Sequence, residues 1–117
     1  MLNNLRAIWI HGSANRCRKR QDYSGCVSYA QKAISLNPSD FLLASAYSMK
    51  GEGEYYLGNY QNASASFEKS LEVTLNDPAI WAGENGKRFI SETSAFMHHC
   101  RKKLNLKSKG EEKGARS

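Results

Sequence analysis

Apolar residues along this chain recur at three- and four-residue steps, and short polar clusters interrupt them at intervals. Between Phe41 and Leu57, the residues Leu43, Tyr47, Gly51 and Tyr55 fall at near-helical spacing; from Tyr60 to Leu75, Ala63, Phe67, Leu71 and Leu75 follow at four-residue steps. A stripe of that period buries one side of an α-helix and leaves the other to water. The same reading predicts helices over about Asn3 to Arg18 and Tyr23 to Leu36. The punctuation agrees. Pro38-Ser39-Asp40 and Asn76-Asp77-Pro78 stop one helix and offer side-chain oxygens to cap the next, while Gly58-Asn59 suits a left-handed helix end. Ile80 and Trp81 open a shorter apolar patch, and Asn85-Gly86 reads as a turn. A last helix is expected from about Lys87 to Leu104, with Phe89, Ile90, Phe96, Met97, Cys100 and Leu104 facing inward. No alternating β-branched run exists, so the expected class is all-α.

The chain also matches itself. An offset of 37 residues places Ala14 on Gly51, Asp22 on Asn59, Tyr23 on Tyr60, Cys26 on Ala63, Lys32 on Lys69, Ala33 on Ser70 and Ile34 on Leu71. Small residues meet small ones and bulky ones meet bulky ones. A period in this range is the mark of stacked supersecondary units.

Two runs carry a family resemblance. Leu57-Gly58-Asn59-Tyr60-Gln61-Asn62-Ala63, followed by Phe67-Glu68-Lys69-Ser70-Leu71, resembles the centre of a tetratricopeptide repeat. Asp22-Tyr23-Ser24-Gly25-Cys26, followed by Ala30-Gln31-Lys32-Ala33-Ile34-Ser35-Leu36-Asn37-Pro38, is similar to it. Small residues let two helices approach closely, the turn tyrosine covers their joint, and proline stops the second helix. Such repeats recur at about 34 residues, so the longer spacing here implies an insertion of about one helical turn. The resemblance covers roughly 7–78. It implies a right-handed stack of antiparallel helix pairs, about two repeats over 1–104 with a C-terminal capping helix; separately, the polar, basic and glycine-bearing composition of 105–117 points to a disordered tail. The resemblance also implies an adaptor or co-chaperone-like module that takes an extended peptide or a helix in a concave groove. Some family members clamp acidic C-termini; Asn15 stands where the first clamp asparagine would lie, whereas Met49 occupies the place of the second.

In that architecture the first helix of each pair lines the groove. His11, Asn15 and Arg18 share one helix face, and the 37-residue offset carries them to Ser48, Glu52 and Tyr55. These six residues are the expected partner-binding row.

Charge adds a second reading. The net charge is +6, yet residues 1–20 and 101–117 are strongly basic while 21–100 hold five bases and nine acids. Arg16, Lys19, Arg20, Lys87, Arg88, Arg101, Lys102 and Lys103 are candidate anion contacts. They point to an alternative function in which a basic-ended chain binds nucleic acid or an anionic membrane with salt-sensitive affinity. Helix C-termini also gather bases to complement the dipole.

Other chemistry finds little footing. There is no glycine-rich phosphate loop and no nucleophile elbow, and Glu52 and Glu54 stand two apart on a helix, facing different ways. His98-His99-Cys100 are adjacent on a helix and diverge, so no metal or other cofactor is expected. Three cysteines cannot all pair within the chain, and no signal-peptide plan opens it; reduced thiols in the cytoplasm or nucleus are expected. No apolar run is long enough to span a bilayer. Trp81, Phe89 and Phe96 are candidates for contact with a second copy of the chain.

Overall fold

The computed structural model describes the backbone of residues 2–116 and the side chains of residues 4–106. It is all-α. The described residues form α1 (Leu2–Lys19), α2 (Tyr23–Ser35), α3 (Asp40–Tyr56), α4 (Tyr60–Leu75), a short α5 (Pro78–Trp81) and α6 (Glu84–Arg116). No strand occurs among them. The separate tail expected over 105–117 falls almost wholly on residues whose side chains are not described.

Each helix packs on the next, and α3 is the centre, touching α1, α2, α4 and α6. The joint between α1 and α2 is built like the one between α3 and α4. In the first, the Asp22 amide donates to the Cys17 carbonyl and the Gln21 amide to that of Arg18. In the second, the Asn59 amide donates to Glu54 and the Gly58 amide to Tyr55, each residue 37 later. Gln21 and Gly58 are both left-handed, with φ of 62° and 84°. This is the double hydrogen bond that closes a helix on a left-handed residue, and it consumes carbonyls that would otherwise be orphaned. Asp22 and Asn59 then cap the following helices with similar backbones, though only Asp22 uses its side chain, accepting from the Gly25 amide at 3.0 Å.

The repeat extends into the interior. Ala7 and Ala44, Cys26 and Ala63, Ala30 and Phe67, and Ala33 and Ser70 are buried pairs related by the same offset. One cluster joins Ala14, Cys26, Ala30 and Met49; another joins Ala63, Phe67 and Cys100, with Tyr55, Phe96 and Met97 packed on it. Small side chains dominate, so the helices approach closely, and the second cluster is finished by α6. Tyr23 and Tyr60 both open their helices half-buried against α3, but on different rings. Tyr23 stacks on Tyr56 at 4.7 Å, and Tyr60 meets Tyr55 edge-on at 5.5 Å.

Two local expectations are corrected. The buried side of α4 continues through Ser70 and Thr74, and Leu75 is exposed. Polar residues serve there because each has a partner: Ser70 Oγ donates to the Ala44 carbonyl at 2.7 Å, and Thr74 Oγ1 to Ser70 at 2.8 Å. Asn85-Gly86 is no turn but lies in the first turn of α6. An added Cβ at Gly86 would stand 2.7 Å from Trp81 Cα and even closer to the Ile80 carbonyl, so glycine is what lets α5 lie against α6.

Candidate functional site

The leading helices α1 and α3 face α6 across a groove of about 280 Å³. His11, Asn15 and Arg18 of α1 and Ser48 and Glu52 of α3 line it, together with Ser45, Met49, Phe89, Glu92, Thr93 and Phe96. Five of the six residues expected to form one row therefore share one cavity. Tyr55 lies one step away, in a shallower depression with Tyr56, Ala95 and His99; Glu92 and Phe96 line both.

The polar side chains of the groove hold one another. Arg18 donates two hydrogen bonds to Asn15 Oδ1, at 2.6 and 3.2 Å, and stands 3.6 Å from the Glu52 carboxylate. His11 Nε2 and Ser45 Oγ share a hydrogen bond of 2.7 Å. Burial pushes the Glu52 carboxyl above the usual range; Arg18 opposes the shift and Glu92 adds to it. Burial, with Arg18 nearby, holds the His11 imidazole below its ordinary value. By residue type the groove holds one guanidinium against the two carboxyl groups of Glu52 and Glu92, and the depressed His11 favours its neutral form. It is weakly acidic. That charge disfavours the acidic tails that a basic clamp would take.

A wider space opens at the other end of the groove. About 700 Å³ lies between the start of α3 and the corner of α5 and α6, above Phe41, Ala44, Ala79, Ile80 and Phe89. Asp40, Asp77 and Glu84 also line it, and among the described residues no lysine or arginine does. Ser45 and Phe89 belong to both spaces, so the groove runs continuously into this mouth. Sequence reading did not find the mouth. Asp40 and Asp77 are visible there as capping residues, but only the corner of α5 on α6 brings them together.

All eight candidate anion contacts are exposed. Arg16, Lys19 and Arg20 close α1, and Arg101 to Lys103 precede Leu104, which lies against the α3–α4 joint. Both clusters therefore sit toward the end carrying the two left-handed joints, whereas Lys87 and Arg88 lie at the end carrying the mouth. His98 and His99 are exposed, while Cys100 is buried against α4. Among the described residues no three His, Cys, Asp or Glu side chains converge as metal ligands. The Cys26 thiol is pushed up to about 11, first by burial and then by Glu52, and donates to the Met49 carbonyl at 3.5 Å. Such a thiol is a poor nucleophile at neutral pH. No described helix is long and apolar enough to cross a membrane.

Compared with protein-family models, curated proteins and solved structures, the chain matches none. The functional reading therefore rests on its own geometry.

Proposed function

We propose that this chain is a non-enzymatic protein-interaction module of the tetratricopeptide type, whose groove between α1, α3 and α6 takes a peptide or helix of a partner. The observation that carries it is the meeting of His11, Asn15, Arg18, Ser48 and Glu52 in one open groove. Apolar surface from Phe89 and Phe96 gives this hollow a floor suited to burying side chains. The two equivalent joints and the pairs of buried positions support a stack of repeated helix pairs, with α6 completing the second.

The test is a peptide array probed with labelled protein. Wild type is expected to bind a subset of peptides, and Asn15→Asp combined with Glu52→Lys to lose or reorder that subset with unchanged helical circular dichroism. An identical binding pattern from the double variant would remove the groove from consideration.

The placement of Arg16, Lys19, Arg20 and Arg101 to Lys103 toward one end supports a second reading, in which that end binds nucleic acid or an anionic membrane. It predicts heparin retention that falls steeply with salt and is lost on deleting 101–117. Retention indifferent to salt contradicts it.

A further inference from the structure

The mouth of the groove and the outer face of α1 are chemically complementary. On α1, Leu5, Ile8 and Trp9 are exposed, Trp9 to 76%. Exposed Arg6 and Arg16 flank them, and residues 1–20 contain five bases and no acid. At the mouth the signs reverse: a floor of Phe41, Ala44, Ile80 and Phe89 under Asp40, Asp77 and Glu84, with no base among the described lining residues. Phe41 is 67% exposed.

Part of the mouth's charge has a local role. Asp77 accepts from the Ala79 amide at 3.0 Å, and Asp40 and Glu84 lie in the first turns of α3 and α6. A helix N-terminus is equivalent to roughly half a positive charge, and four-residue α5 supplies less. The lining itself keeps three carboxylates, with Lys87 and Arg88 following outside it along the first turns of α6. Its fitting occupant combines bulky apolar side chains with lysine or arginine.

The geometry points to a second copy of this chain as that occupant, with the Leu5-Ile8-Trp9 face of one molecule seated in the acidic mouth of the next. Within one molecule Leu5, Ile8 and Trp9 stay exposed and line neither the mouth nor the groove, so the contact lies between molecules. Nor is α1 suited to pair with another α1, since both carry only positive charge. The pairing is head-to-tail, so each pair retains a free face at one end and a free mouth at the other, and growth past the dimer follows. It rests on the groove reading only in that the mouth is the groove's wide end; Asn15 and Glu52 lie outside it.

Sedimentation of the full chain at several concentrations and salt levels tests this. Wild type is expected to pass from monomer to dimer and larger species with concentration, and less readily as salt rises. Trp9→Glu blocks the face, and Asp40→Asn with Glu84→Gln removes two of the mouth's three carboxylates; each variant alone is expected to associate at least about tenfold more weakly, as loss of a central anchor does. Mixed in equal amounts, the two variants each retain one working half: the mouth of the first and the face of the second. They should restore a one-to-one pair that grows no further. Wild type that stays monomeric overturns the proposal, as does undiminished association of either variant or a mixture of folded variants that fails to pair. The Asn15→Asp, Glu52→Lys chain should self-associate normally. Loss of array binding in that chain with association intact upholds both readings, whereas array binding by a wild type that stays monomeric defeats this inference alone.

Discussion

The α1–α2 and α3–α4 hairpins share a backbone and differ in how they fill it. Their joints make the same hydrogen bonds, yet the left-handed residue is Gln21 in one and Gly58 in the other. Inside, the first hairpin sets Ala14 and Ala30 where the second sets Gly51 and Phe67. An added Cβ at Gly51 would stand 2.8 Å from the Phe67 ring, so the ring occupies the room that the missing methyl leaves. That ring also stacks on Phe96 of α6 at 5.2 Å. The difference teaches that the frame tolerates an exchange of volume across a helix pair, and that the larger filling is what fastens α6 to the stack.

Cutting away the larger filling should have the greatest effect. Phe67→Ala is expected to cost about 3–5 kcal/mol in urea denaturation and to loosen α6, whereas Ala30→Gly at the equivalent position costs only about 1 kcal/mol. Equal losses would contradict the claim that the hairpins are filled differently. Next comes the exchange itself. Gly51→Ala should destabilise by about 1–3 kcal/mol despite alanine's better helix propensity, because the ring it meets is held by Phe96, and Phe67→Leu should recover part of that loss. A stabilised Gly51→Ala chain would show that the ring yields freely.

The joints give a smaller effect of opposite signs. Gly58→Gln should lose about 1 kcal/mol and Gln21→Gly gain up to about 1 kcal/mol, since only glycine adopts the left-handed region without strain. Thermal unfolding of the two variants checks this; shifts in the same direction would mean that the joints are not equivalent.

The smallest expected effect is on pH. His11 has its folded value depressed below 6.5, so the native state binds fewer protons than the unfolded one. Its contribution to stability is full above pH 6.5 and is lost as pH falls through the folded value. Denaturation midpoints measured down from pH 7 should therefore decline less in His11→Gln than in wild type. Ser48, the equivalent residue in the second hairpin, does not titrate, so Ser48→Ala should leave the slope unchanged.

Much of this was legible along the chain. The helices from Tyr23 to Leu75 follow from period, proline and capping residues within a residue or two, because those signals are local. The equivalence of the joints was visible in the self-match of Asp22 and Tyr23 with Asn59 and Tyr60. The nearness of His11, Asn15, Arg18, Ser48 and Glu52 was visible too, because two neighbouring leading helices present equivalent faces, whereas Tyr55 falls outside their hollow. What escaped depended on contacts between distant segments. Leu75 reads as core by hydrophobicity, but Thr74 takes the buried place because its hydroxyl has a carbonyl to bond. Gly86 reads as a breaker because glycine's backbone freedom is a local property, while its use against Trp81 is not. The mouth needs α5 to turn the chain onto α6, a four-residue element too short for periodicity to reveal.

Hydrogen exchange of the full chain, with and without an array-selected peptide, tests most directly whether the leading helices share one receiving surface. Protection should concentrate in the parts of α1, α3 and α6 that carry His11 to Arg18, Ser45 to Glu52 and Phe89 to Phe96. Protection confined to α2 and α4, or to the basic ends of α1 and α6, would contradict it.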